Sequence, residues 1–270
     1  MRISLVENRL CWEPCGIGFP CLEEKNVART IVITGAGIGL GRAIARRLAA
    51  DGNTLILLGR TLSKVQDLAT ELGGSAMAVE CDVSSAGSIR AAFATIASQH
   101  PKIDVLINNA AIYEPFDVVD GTDEQILGSV LTNLAGPIFA CRAAIPMMDR
   151  GAHIINVSSE SAVKKFPMLS LYQASKAGLE RFSETLLHEL TPSAIRVTVV
   201  RAGPMYEEGK GSAWPMEVAM KFAQQCAAIG LDLRGQPISH VNSVAEVFHH
   251  VVNLPADVHM PLVQLEGFRA

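Results

Sequence analysis

The chain has no apolar stretch long enough to cross a bilayer. Its longest segment without a charged, amide or histidine side chain runs from Thr30 to Gly41, 12 residues rich in glycine, where about 18 apolar residues are needed; no membrane is expected as a partner. A basic excess is missing too. Lys plus Arg number 23 against 27 Asp plus Glu, a net charge of −4, which argues against a nucleic-acid partner. With 19% charged residues the chain is also too weakly charged for a disordered polyelectrolyte. The opening residues lack the pattern of a secretory signal, because Glu7, Asn8, Arg9, Glu13 and Pro14 interrupt any apolar run. Cys11, Cys15 and Cys21 fall in this opening without the fourth ligand or nearby histidine that a metal centre requires. The reading is a loosely ordered extension over residues 1–27 with reduced thiols, in a cytoplasmic protein. Cys81, Cys141 and Cys226 stand in apolar contexts and read as small buried hydrophobes. The seven histidines show no metal-ligand spacing, so no metal is expected.

What is present is a large apolar fraction, 49% of 270 residues, enough for a self-sufficient core. From Ala28 onward short β-rich runs alternate with longer helical patterns. The runs are Thr30–Thr34, Thr54–Gly59, Ser75–Glu80, Ile103–Ile107, His153–Ser158, Ile195–Val200 and Leu262–Leu265. Helical patterns cover Leu40–Ala50, Leu62–Leu72, Ser85–Ser98, Asp123–Met148, Leu171–Leu190 and Val244–Val252. Strands apolar on both faces, joined by helix-length crossovers, predict an α/β Rossmann-type fold: a doubly wound, seven-stranded parallel sheet with helices on both faces. Residues 28–270 then form a single domain. The rhythm breaks only at 204–240, a long insertion at the carboxyl end of a strand, where a substrate loop belongs. It holds Met205, Tyr206, Trp214, Met216, Met220 and Phe222, which suit an apolar ligand and equally suit packing against the sheet.

The first expected strand runs into Thr34-Gly35-Ala36-Gly37-Ile38-Gly39-Leu40-Gly41 and then a helix. Gly35, Gly37, Gly39 and Gly41 allow a tight turn and a close approach of backbone to a pyrophosphate, with Ile38 among them as a further cofactor-binding candidate, and the helix that follows aims free N–H groups at it. The second strand ends Leu57-Leu58-Gly59-Arg60-Thr61 without a carboxylate. An acidic residue there would hold a free ribose 2′-hydroxyl; Arg60 instead offers a planar fork to a 2′-phosphate, so the expected cofactor is NADP(H).

Tyr172-Gln173-Ala174-Ser175-Lys176 puts Tyr172 and Lys176 four residues apart on one helix face. A phenol of pKa ~10 is a poor base, and a neighbouring ammonium stabilises its phenolate; Tyr172 is thus a candidate proton donor to a carbonyl or acceptor from an alcohol. Asn156-Val157-Ser158-Ser159 ends the fifth strand at the edge where α/β sheets hold ligands. Asn133 lies among apolar neighbours in a helical pattern and needs partners or a purpose. Arg201, at the end of the sixth strand, reads as a contact for an acidic substrate or as a surface charge.

In this order the residues resemble the classical short-chain dehydrogenase/reductase (SDR) family from about Ala28 onward. The matching elements are the Thr34–Gly41 turn, Asp82-Val83, Asn108-Asn109-Ala110, Asn133, Ser159 thirteen positions before Tyr172, and the Tyr172/Lys176 pair. The resemblance implies an oxidoreductase that moves a hydride between NADP(H) and a carbonyl or secondary alcohol, by ketone reduction or alcohol oxidation. Tyr172 is then the general acid/base, and Ser159 binds the reacting oxygen. Lys176 lowers the Tyr172 pKa and binds the nicotinamide ribose, and Asn133 holds a relay water. Asp82 and Val83 meet the adenine, and Asn109, Ala110 and Gly203 complete the cofactor cleft. The resemblance also implies a homo-oligomer, dimer or tetramer, packed through Leu171–Leu190 and the helix before it. Leu254–His259 is similar to the same stretch in NADP-dependent members acting on small hydroxy acids and related alcohols. Ala111 replaces a usual glycine, Ala202 a proline and Glu207 a cofactor-touching threonine. The alternative, a non-catalytic NADPH-binding sensor or scaffold, has no use for an intact Asn133, Ser159, Tyr172 and Lys176 set.

Overall fold

The computed structural model describes residues 3–6, 9–12, 28–74, 76–211 and 214–269. Near the start, β1 (Ile3–Val6) and β2 (Arg9–Trp12) form an antiparallel ribbon that the sequence did not announce; Cys15 and Cys21 lie outside the described residues. The main sheet is built from β3 (Thr30–Thr34), β4 (Thr54–Gly59), β5 (Ala76–Glu80), β6 (Val105–Asn108), β7 (His153–Ser159), β8 (Arg196–Ala202) and β11 (Leu262–Gln264). β9 (Met205–Tyr206) and β10 (Ser239–His240) pair separately, in parallel, and draw the two ends of the 204–240 insertion together. All seven strands of the main sheet are parallel, in the order β11-β8-β7-β6-β3-β4-β5. The chain starts in the middle, at β3, winds outward through β4 and β5, then returns to β6 on the other side. That reversal opens a crevice beyond the carboxyl ends of β3 and β6.

The alternation of side chains along each strand divides the apolar residues between two cores. Ile31, Ile33, Leu55 and Leu57 point to one face and pack on Ile44 and Leu48 of α1 (Gly39–Ala49), Val65 of α2 (Leu62–Leu72) and Phe248 of α8 (Val241–Val252). Val32, Ile56 and Leu58 point the other way, to Phe93 and Ile96 of α3 (Ala86–Gln99), Cys141 and Ala144 of α5 (Gly136–Ala144), and Leu186 and Leu190 of α6 (Ser170–Leu190). Both faces are covered, so the strands read as continuous apolar runs rather than as alternating ones.

The long helical pattern from Asp123 is not one helix. Thr122 and Gln125 close a capping box on α4 (Asp123–Val130), a π turn follows over Leu131–Ala135, and α5 resumes at Gly136 with Pro137 in its first turn. By length and mean hydropathy Asp123–Met147 qualifies as a membrane span; here Thr132, Asn133, Ala140, Cys141 and Ala144 are buried against the protein. The insertion carries a helix that the sequence reading left out, α7 (Met216–Ala228). Its Phe222 and Cys226 pack with Phe166, Met168 and Leu169 as a third, smaller core over the crevice.

Candidate active site

Thr34 and Asn109 tie the two central strand ends together. The Thr34 hydroxyl accepts from the backbone N–H groups of Asn109 and Ala110, both at 3.0 Å, and Asn109 Nδ2 donates to the carbonyls of Thr34 (3.0 Å) and Gly35 (3.3 Å). The turn between β3 and α1 is therefore pinned against the end of β6. Gly35 has φ +65°, and a Cβ there would lie 2.8 Å from the Ala110 Cα; at Gly41 it would overlap the Gly35 carbonyl oxygen. Glycine is required at both. Ile38 is the N-cap of α1 and supplies no side-chain cap, which leaves N–H groups of the first turn to face the crevice as an anion site.

The crevice has a volume of about 690 Å³. At the β4 side it is lined by Gly37, Arg60, Thr61, Lys64 and Val65; among these described residues none is acidic and two are cationic. Lys64 sits one turn beyond Arg60 and lines the same wall. Its position in the first turn of the expected Leu62–Leu72 helix was the signal that could have found it. Val83, Ala110 and Gly203 line the crevice as expected, but Asp82 does not. Its Oδ1 accepts from the backbone N–H (2.9 Å) and the hydroxyl (2.7 Å) of Ser84, an Asx turn at the end of β5, and Cys81 stands at the wall in its place. Glu207, in the threonine position, pairs with Lys210 at 2.6 Å and with Arg42 of α1.

At the β7 side Ser159, Tyr172 and Lys176 come together along the crevice. Ser159 ends β7, its Oγ accepting from the Ser161 N–H at 3.2 Å, and lines the crevice beside Tyr172. Lys176 is 2% exposed, donates from Nζ to the Val157 carbonyl at 2.7 Å, and lies 5.8 Å from the centre of the Tyr172 ring. Burial pulls its ammonium down to about 8, opposed by the charge of Glu180. Burial likewise pushes the Tyr172 phenol up to about 12, against a smaller opposing pull from the Ser159 side chain. The largest influence on the phenol is thus its own desolvation. The ammonium is committed to a backbone carbonyl.

Asn133 occupies the π turn, a device often found at functional positions. Fully buried, it accepts from the Ile112 N–H at 2.9 Å and donates to the Ile112 carbonyl at 2.8 Å. Its side chain thus fixes the loop after β6. Behind it runs a buried relay: Asn108 Nδ2 donates to Asn156 Oδ1, and Asn156 Nδ2 to the Ser183 hydroxyl, both at 2.8 Å. Arg201 is neither a substrate contact nor a loose surface charge. It grips Glu180 with Nε at 3.0 Å and Nη2 at 2.6 Å, while Ser158 donates to the same carboxylate at 2.7 Å. Beside Tyr172, the remaining wall carries Tyr113, Phe166, Leu169 and Phe222, of which the sequence reading had picked out only Phe222.

Comparison with known proteins agrees with this geometry. The family model described as short chain dehydrogenase matches residues 29–217. An uncharacterized oxidoreductase of Methylorubrum extorquens is 35% identical over 195 residues, 70% of this chain and 78% of that protein. The 3-oxoacyl-[acyl-carrier-protein] reductase of Bos taurus is 35% identical over 178 residues, 65% of this chain and 75% of its own. A short chain dehydrogenase from Burkholderia cenocepacia, crystallised in complex with NADP, superposes with a TM-score of 0.76 at 26% identity, covering 89% of this chain and 96% of that one. The matched stretch takes in the glycine turn and the positions of Ser159, Tyr172 and Lys176, and the chain belongs to the short-chain dehydrogenase/reductase family of oxidoreductases.

Proposed function

We propose that this chain is an NADP(H)-dependent carbonyl reductase, able to run in reverse as an alcohol dehydrogenase, with Tyr172 as general acid/base. One observation carries the reading: Ser159, Tyr172 and Lys176 line one end of a crevice whose other end presents Arg60 and Lys64. The donor set fits a dinucleotide phosphate. Arg60 and Lys64 would hold a 2′-phosphate, the Gly35–Gly41 turn with the uncapped start of α1 the pyrophosphate, and Lys176 the nicotinamide ribose. The NADP bound to the Burkholderia relative supports that choice. When bound, the nicotinamide supplies or accepts the hydride.

The chain's own part is to hold the carbonyl and move one proton. Ser159 donates to the carbonyl oxygen and polarises it, and Tyr172 passes its phenolic proton to that oxygen as negative charge gathers there. A phenol held near 12 is fully protonated at neutral pH, which suits the reducing direction. Asn133 keeps the Ile112 backbone in place along the same wall. Residues 28–270 act as one catalytic domain, with 204–240 covering the substrate end and residues 1–27 an extension. Homo-oligomerisation through α6 follows from the family resemblance. Cys81, Cys141 and Cys226, free and buried, suit a reducing cytoplasmic compartment.

The test is NADPH oxidation in the presence of a carbonyl panel. Tyr172→Phe is expected to lower kcat about a thousandfold with NADPH binding retained; turnover undiminished in that variant rejects the mechanism.

A further inference from the structure

The substrate end of the crevice is aromatic to a degree that the composition does not predict. Aromatic residues are 5% of the chain, yet five rings from separate segments form a continuous chain beginning at the reacting phenol. Tyr172 on α6 lies 5.7 Å from Tyr113 of the loop after β6, and Tyr113 lies 5.2 Å from Trp214. Trp214 lies 5.2 Å from Phe222 of α7, and Phe222 lies 6.4 Å from Phe166 of the loop before α6. Trp214 stands behind the wall, its Nε1 donating to the Tyr113 carbonyl at 3.2 Å, so it braces the ring that faces the crevice. Phe166 and Phe222 are each 8% exposed, as core packing alone would leave them, but Tyr113 is 52% exposed while lining the same space. A ring left open at the mouth of a cleft, in edge contact with the rings behind it, has one face to offer a ligand.

Charge is distributed to match. Among the described residues lining the crevice the cations are Arg60 and Lys64, at the β4 end, and Lys176, whose Nζ is held by the Val157 carbonyl. The charged side chain adjoining Ser159 is Glu160, a carboxylate 8% exposed and paired with Lys164 at 2.6 Å. Arg201, the residue that could have received an acidic substrate, is locked to Glu180. A substrate carboxylate lying against the aromatic wall therefore meets apolar faces and a glutamate whose charge is already paired, and it loses its water there without a cation to replace it.

Resting on the reductase reading above, we propose that the substrate class is the uncharged aryl ketone or aldehyde, its ring seated between Tyr113 and Phe222, and that free oxo and hydroxy acids are excluded. The reaction balances as hydride to the carbonyl carbon and the Tyr172 proton to its oxygen, giving the secondary or primary alcohol.

The experiment compares acetophenone with acetoacetate as NADPH-dependent substrates of the full chain, in the wild type and in Tyr113→Ala and Phe222→Leu. Tyr113 is half exposed and Phe222→Leu keeps an apolar side chain, so both variants are chosen to fold, and thermal melting checks that they do. The expected result is a specificity constant for acetophenone at least about tenfold above that for acetoacetate. That ratio falls about tenfold in each variant through a raised KM, as loss of one aromatic contact predicts. Acetoacetate reduced as well as acetophenone, or a ratio unmoved by both substitutions, overturns the aryl assignment while leaving the reductase reading intact. NADPH bound without reduction of either carbonyl overturns both.

Discussion

Lys176 donates to the Val157 carbonyl at 2.7 Å, and Glu180, one turn further along the same helix, is occupied by Arg201 and Ser158. The ammonium is therefore buried with a carbonyl dipole but no carboxylate of its own. Burial brings it from its ordinary 10.5 to about 8, so between about pH 8 and 10.5 the folded chain binds fewer protons at this position than the unfolded chain. Stability must rise with pH across that window, and it is lost as pH falls through 8. From pH 8 to 10 the wild type is expected to gain about 2 kcal/mol relative to Lys176→Met, read from urea unfolding at each pH. The range stops short of the Tyr172 titration, which acts with the opposite sign: a phenol raised to about 12 destabilises the fold as pH climbs above 10. Parallel pH profiles for wild type and variant reject the assignment.

Arg60 and Lys64 lie on one wall of the crevice. If they grip a 2′-phosphate, Arg60→Ala raises KM for NADPH between about tenfold and a hundredfold, the range of one charge-assisted hydrogen bond. The same change leaves KM for NADH within about twofold, because NADH carries no phosphate there. Lys64→Ala acts in the same direction with a smaller effect, since its ammonium is a point charge without the guanidinium fork. The measurement is the NADPH-to-NADH ratio of kcat/KM. A wild type with a ratio near one, or a ratio unchanged in both variants, removes the phosphate from this wall.

The parts of the site that were readable beforehand are those in which local chemistry and position agree. Gly35 and Gly41 are glycines because a Cβ has no room, and Tyr172 and Lys176 share a helix face at any tertiary arrangement. The sheet was readable because Ile31 and Ile33 serve one core and Val32 the other, which leaves an uninterrupted apolar run in the sequence. Properties that depend on burial or on distant partners were not readable. The direction of the Tyr172 shift follows from desolvation by residues far away in the chain. Arg201 owes its engagement to Glu180, and Asn133 owes its side-chain partners to a π turn that helical periodicity does not disclose. Helix α7 was hidden because its Phe222 and Cys226 pack on a small core above the crevice rather than on the sheet.

Asn156 joins the sheet to the catalytic helix from a fully buried position, accepting from Asn108 and donating to Ser183, each at 2.8 Å. Asn156→Leu is nearly the same size but silences both contacts at once. The Asn108 amide then keeps only the Cys141 sulfur, a weak acceptor at 3.4 Å. Ser183 still donates to the Leu179 carbonyl at 2.7 Å but loses the donor that faced it. Buried donors and acceptors left unmatched cost about 1–3 kcal/mol each, so the variant is expected to lose about 2–4 kcal/mol of unfolding free energy. Asn108→Leu, by contrast, also removes an Oδ1 that has no hydrogen-bond partner among the described residues, so its loss should be smaller by about 1 kcal/mol. Urea denaturation of the two single variants and the double variant measures the coupling directly: a double variant no less stable than Asn156→Leu alone is the expected result, and strictly additive losses would show that the two amides do not act as one chain.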